Sequence, residues 1–205
     1  MKILVYGDSN TWGYFPTLDL YSGNDSDTLR YKDEDIWWYK LKEKNTLFIN
    51  GNNGRTNGDD HILYDGKNAI KTINNDLSGI DNIDLTIIML GTNDFKDIYH
   101  NTTESVINKM DKLIKAIYNK LKCDFLIICP PLIISNTKIT ELSYTFGEDK
   151  IRDYEIGLIE YCKENKYHFV SAIDCEVGID GEHLTISGHK KLGDIVNSYI
   201  NKING

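Results

Sequence analysis

The sequence predicts an α/β fold: a three-layer α/β/α sandwich around a five-stranded parallel sheet in the order 2-1-3-4-5. Two observations predict it. Five short apolar runs, at residues 2–6, 47–50, 85–90, 125–129 and 168–172, alternate with amphipathic or polar segments. The runs Leu85-Thr86-Ile87-Ile88-Met89-Leu90 and Phe125-Leu126-Ile127-Ile128-Cys129 also lack period-two alternation, as expected of strands covered on both faces. Strands interleaved with helices imply a parallel sheet with right-handed crossovers.

The elements follow in order. Asn101-Thr102-Thr103-Glu104 has the shape of a capping box and opens a helix with Val106, Ile107, Met110, Leu113, Ile114, Ile117 and Leu121 on one face. A second helix is expected over 149–165, with Ile151, Tyr154, Leu158, Ile159 and Cys162 inward. A third is expected to start with Ser187 as N-cap and to carry Leu192, Ile195, Val196, Tyr199 and Ile203. Residues 12–35, 55–70 and 131–147 are too long for simple turns. Long ordered loops in a compact domain tend to be functional, and the first of these could roof a site.

The 205 residues, 40% hydrophobic, suit a single domain over 1–205 with a real core. The net charge of −8 and the lack of a Lys/Arg stripe argue against a nucleic-acid partner. No run is long enough for a membrane span and no leader pattern precedes the first strand, so a cytoplasmic location is expected. The four cysteines, Cys123, Cys129, Cys162 and Cys175, form no C-x-x-C pair and read as buried free thiols. The long loops are compatible with contacts between copies of the chain, so a homo-oligomer is left open.

Function in an open parallel sheet lies beyond the carboxyl ends of its strands. The first strand runs into Gly7-Asp8-Ser9-Asn10. The second ends in Asn50-Gly51-Asn52-Asn53-Gly54-Arg55-Thr56, the third in Gly91-Thr92-Asn93-Asp94 and the fourth in Pro130-Pro131. Asp180-Gly181-Glu182-His183 follows the fifth, just before the last helix. In the order 2-1-3-4-5, shared with flavodoxin-like folds, strand one lies between strands two and three. Ser9 then has Gly54 on one side and Asn93 on the other. A hydroxyl, a glycine amide and a carboxamide converge, which is what acyl transfer needs: a nucleophile beside donors aimed at a developing oxyanion. Asp180 and His183, three apart, supply a carboxylate-oriented base. Each feature alone has a plain reading as a turn serine, turn glycines, an Asx turn or a helix-start histidine. What argues for chemistry is all four at the right strand ends.

These motifs identify a resemblance to the SGNH (GDSL-type) hydrolases. Gly7-Asp8-Ser9 looks like their first block, Gly51-Asn52-Asn53-Gly54 like the second, Gly91-Thr92-Asn93-Asp94 like the third and Asp180-Gly181-Glu182-His183 like the fifth. Thr11-Trp12-Gly13-Tyr14, Trp37, Arg55-Thr56 and Ile88-Met89-Leu90-Gly91 are similar to the bacterial arylesterase/acyltransferase-like branch. Asn52-Asn53 stands where the family commonly has a hydrophobic residue and a serine, and the loops at 19–29 and 131–147 look individual. The resemblance implies a serine ester hydrolase acting on short-chain acyl esters of small molecules, with Ser9, Asp180 and His183 catalytic. It implies Ser9, Gly54 and Asn93 as oxyanion donors, and neither metal nor cofactor.

Trp12 and Tyr14 are expected to line the substrate pocket, with packing of their loop as the plain alternative. Asp8 and Asp94 read as structural, since a glycosidase reading of the pair would leave Ser9 and Asn93 without a role. His189 has no carboxylate at short spacing, and His61, His100 and His168 belong to no motif. A carbohydrate acetylesterase, a lysophospholipase or thioesterase and an acyltransferase share this core. A flavodoxin-like binding module is the non-enzymatic rival, although Asp8 would repel a phosphate there. A degenerate, non-catalytic scaffold would not need every position filled.

Overall fold

The computed structural model describes residues 1–17, 29–61, 63–134, 137, 140 and 143–203. Five strands, β1 (Lys2–Gly7), β2 (Thr46–Gly51), β3 (Leu85–Met89), β4 (Asp124–Cys129) and β5 (His168–Ser171), form one sheet. Its order is β2-β1-β3-β4-β5 and every pairing is parallel, as expected. The helices are α1 (Ser9–Trp12), α2 (Ala69–Asp76), α3 (Thr103–Leu121), α4 (Gly147–Asn165) and α5 (Ile186–Ile203).

The unbroken apolar runs have a direct cause. Side chains alternate across a strand, and both faces of this sheet are covered. Leu4, Tyr6, Ile88, Phe125, Ile127 and Cys129 pack into one core with α2, α3 and α4. Ile3, Val5, Ile87, Met89, Leu126 and Ile128 pack into the other with α5 and with Trp37, Trp38 and Leu41. The four cysteines are buried free thiols. Each fully buried large apolar side chain contributes about 1.5–3 kcal/mol, so either core outweighs any single polar contact described below.

Several sequence expectations shift. The capping box of α3 is built by Thr102 and Ser105 rather than by Asn101 and Glu104, because Thr102 is the residue with extended backbone at the helix start. Ser187 lies inside the first turn of α5. The Thr185 hydroxyl, one residue before the helix, accepts the Gly188 N–H instead (3.0 Å). Ile159 and Ile203 face solvent, since the inward faces of α4 and α5 run through Ile151, Tyr154, Leu158 and Cys162 and through Leu192, Val196 and Ile200. Helix α2 begins at Ala69, inside the expected 55–70 connection. Of the long connections, residues 18–28, 62, 135–136, 138–139 and 141–142 lie outside the described residues. No helix among the described residues is long and apolar enough to cross a membrane.

Candidate active site

The β1 strand stops where Asp8 turns the chain into the single turn of α1. The Asp8 carboxyl accepts the Asn10 N–H (3.0 Å), and Gly13, with φ of 95°, closes the turn by donating to the Ser9 carbonyl (2.8 Å). Trp38 braces this turn from the side through an indole N–H donated to the Thr11 carbonyl (2.8 Å). The end of β2 packs directly beneath: a Cβ on Gly51 would lie 2.4 Å from the Trp12 nitrogen. Ser9 is thus held at the first position of α1, over the centre of the sheet.

The residues after β2 and β3 are tied to the same place. Gly54 takes φ of 74°, a left-handed conformation that any side chain would strain. The next residue, Arg55, is buried and lies over the Tyr6 ring, 4.1 Å from its centroid. Its guanidinium donates to the Gly7 carbonyl (2.9 Å), the Asn50 carbonyl (2.8 Å) and the Asn50 Oδ1 (2.7 Å), so one side chain binds the ends of β1 and β2. The Arg55 carbonyl accepts an N–H from the Asn93 carboxamide (3.2 Å), leaving that amide a second donor. Asp94 accepts the Asn57 N–H on both oxygens (2.9 and 3.0 Å), fastening the loop after β2 to the loop after β3. Burial pushes the Asp94 carboxyl up to about 8 against those hydrogen bonds.

The last arm comes from far along the chain. Asn10 donates to the Glu182 carbonyl (3.0 Å) and accepts the Leu184 N–H (2.9 Å), clamping the segment between them onto α1. Within that clamp His183 Nε2 lies 2.9 Å from Ser9 Oγ, and His183 Nδ1 lies 2.8 Å from Asp180 Oδ2. The other Asp180 oxygen accepts the backbone N–H groups of Glu182 and His183, each at 3.1 Å. These contacts fix the electrostatics. Burial alone would depress His183, but the Asp180 hydrogen bond and the charges of Glu182, Asp180 and Asp8 outweigh it and raise its pKa. Asp180 is lowered: burial acts upward, and the hydrogen bond and charge of His183 overcome it. Asp8 is pushed up to about 6, chiefly by burial.

Ser9, Gly54, Asn93, Asp180 and His183 share the wall of one cleft of about 200 Å³ with Tyr14, Thr17, Asn53, Lys96 and Glu182. The structure therefore brings together the expected Ser, Gly, Asn, His and Asp positions. Tyr14 stands in the wall with its ring 4.5 Å from the His183 ring. Trp12 is not among the described residues lining the cleft; its indole packs beneath the Arg30 guanidinium, 5.6 Å away, and beside Tyr14. Sequence reasoning missed Asn10, whose side chain positions His183, and the lining residues Thr17, Asn53, Lys96 and Glu182. Glu182 alone had a legible signal, as the residue beside His183 within the Asp-x-x-His block. Asp8 and Asp94 point into backbone amides and do not line the cleft. His61, His100, His168 and His189 lie outside it, and His189 is fully buried. Among the described residues no group of three or more His, Cys, Asp or Glu is placed to hold a metal.

The GDSL-like lipase/acylhydrolase family model matches residues 3–196. Among solved structures, a carbohydrate acetylesterase from Sinorhizobium meliloti is 27% identical with a TM-score of 0.86, over 98% of this chain and 99% of that one. The aryl esterase of M. smegmatis is 24% identical with a TM-score of 0.86, over 98% of each chain. A carbohydrate acetylesterase family member from Sinorhizobium meliloti is 23% identical with a TM-score of 0.82, over 98% of this chain and 97% of that one. The last two likenesses speak for the fold. No curated protein sequence matches the chain.

Proposed function

The chain belongs to the GDSL-like lipase/acylhydrolase family and is an ester hydrolase; from that premise we propose that it cleaves short-chain acyl esters through an acyl-serine on Ser9. His183 is the general base and Asp180 the carboxylate that orients it. The observation that carries this reading is the unbroken hydrogen-bonded chain from Asp180 through His183 to Ser9, at 2.8 and 2.9 Å, opening into the cleft.

The steps follow from those positions. As Ser9 Oγ bonds to the ester carbonyl carbon, its proton passes to His183 Nε2. The carbonyl electron pair becomes an oxyanion held by the backbone N–H groups of Ser9 and Gly54 and by the Asn93 carboxamide. Collapse breaks the bond to the leaving alcohol, which takes the proton from Nε2. A water molecule, or a second alcohol, then gives its proton to Nε2 and attacks the acyl carbon, and Ser9 is regenerated as the proton returns to Oγ. Asp180, held ionised by N–H donors from Thr17, Glu182 and His183, stabilises the imidazolium in both halves. A cleft of about 200 Å³ lies below the ~300–1,000 Å³ typical of sites for drug-sized ligands and suits a small acyl group.

A serine-directed phosphonate is expected to modify Ser9, and Ser9→Ala to abolish turnover of an aryl acetate while retaining the folded circular dichroism spectrum. Unimpaired hydrolysis by Ser9→Ala refutes the mechanism. The likeness to a carbohydrate acetylesterase favours acetylated sugars as a second substrate set to assay beside aryl acetates. A flavodoxin-like binding module would instead show flavin absorbance and no ester turnover.

A further inference from the structure

Glu182 is the acidic residue of the cleft wall that the mechanism leaves unused. Its Oε1 lies 3.7 Å from His183 Nε2, the atom that must hand a proton to the leaving alcohol. That separation is too long for a direct hydrogen bond. Two neighbouring oxygens of a bound molecule, one hydrogen-bonded to each group, would span it. Its other oxygen, Oε2, is buried, and the carboxyl group interacts with the fully buried Tyr144 phenol. The oxygen that stands beside the reacting atoms is therefore Oε1.

The segment that carries it is fixed. The Glu182 carbonyl accepts from Asn10 (3.0 Å) and its N–H donates to Asp180 (3.1 Å), so the backbone is clamped on both sides. Burial, followed by the charge of Glu182 and its hydrogen bond, holds the fully buried Tyr144 phenol well up. The side chain is only 13% exposed and lines the cleft.

We propose that Glu182 selects the alcohol half of the ester by accepting a hydrogen bond from a hydroxyl on the carbon next to the ester oxygen. The inference rests on the Ser9 reading above. The ester oxygen meets His183 Nε2 and the neighbouring hydroxyl meets Glu182, so the favoured substrates are short-chain acyl esters of polyols, sugars included. Esters of simple or aromatic alcohols lack the second hydroxyl and leave the Glu182 acceptor unpaired. In the deacylation half the same pair of groups favours a polyol over a simple alcohol as acceptor.

The test compares two esters of three-carbon alcohols, 1-acetylglycerol and propyl acetate, on the native enzyme, Glu182→Gln and Glu182→Leu. The native kcat/KM is expected to favour 1-acetylglycerol by about tenfold, the worth of one hydrogen bond. The ratio is expected to fall in Glu182→Gln, which keeps one acceptor, and to approach unity in Glu182→Leu. Glu182 also stabilises the His183 imidazolium, but losing that effect scales both rates alike and leaves their ratio fixed. A native ratio near one, or a native-like ratio in Glu182→Leu, overturns the proposal. Phosphonate labelling of Ser9 is run on the same preparations. Labelling with an unmoved ratio refutes the role of Glu182 alone, whereas failure to label removes the mechanism beneath it.

Discussion

His183 is where the chemistry and the electrostatics of the cleft meet. Its pKa is raised because the Asp180 hydrogen bond and three nearby carboxyl groups outweigh burial. A general base works only when neutral, so activity is lost as pH falls through that raised value. The acid limb of kcat/KM is therefore expected above the ordinary histidine value of about 6.5. Asp180→Asn removes the hydrogen-bonded charge and is expected to move the limb to lower pH while cutting the rate by roughly 10⁴, as a mis-oriented imidazole does elsewhere. A limb that stays in place in Asp180→Asn contradicts the role given to Asp180. Ser9, Asn93, Asp180 and His183 could be read from the sequence because each chemical requirement allows few residue types and each type stood at a strand end. Thr17, Asn53 and Lys96 could not, because nothing in a loop sequence says which way its side chains point. Tyr14 and Trp12 show the same limit: two aromatics two residues apart, one in the cleft wall and one under Arg30.

The clamp between α1 and the segment before α5 is made by one side chain. Asn10 holds Glu182 and Leu184 on either side of His183, and both contacts are to backbone groups. Asn10→Ala leaves a carbonyl and an N–H unpaired, at a cost of about 1–3 kcal/mol each. It is expected to lower kcat far more than it raises KM, because the imidazole loses its place while the cleft wall remains. An unchanged kcat would show that the clamp is dispensable. Asn10 was invisible to motif reasoning for a physical reason: its partners are main-chain atoms 172 and 174 positions away, which carry no residue-type signature. The strands, by contrast, were legible because burial on both faces leaves a run of apolar residues and nothing else. Helix α2 was not, since its eight residues bury only Ala69 and Ile73 fully and carry too short a pattern to separate from a loop.

The two cores differ in their tolerance of acid. His189, fully buried in the layer made by α5, forms no hydrogen bond through either ring nitrogen among the described residues and meets the Tyr31 ring edge-on at 5.5 Å. Burial, with the charge of His183 adding to it, drives its pKa down to about 3. The unfolded chain binds that proton near 6.5 and the folded one does not, so the stability is complete above about 6.5 and is lost progressively as pH falls toward 3. At pH 5 the loss is about 2 kcal/mol. Asp8 and Asp94, with raised values, act in the opposite sense, and their contributions cancel when a variant is compared with the native protein. Denaturant unfolding is expected to show His189→Leu gaining on the native protein as pH is lowered from 7 to 5. Parallel stability curves would exclude this account.

The span from Ser9 to His183 has a consequence for the life of each molecule. The hydroxyl and its base are 174 positions apart, and the intervening chain contributes four of the five strands. During synthesis the serine emerges 174 residues before the imidazole, so on the proposed mechanism a growing chain carries no activated nucleophile until the last strand has been made. Long-range closure of this kind is the slow part of assembly. On the proposed mechanism each molecule stays chemically silent until its final crossover has docked.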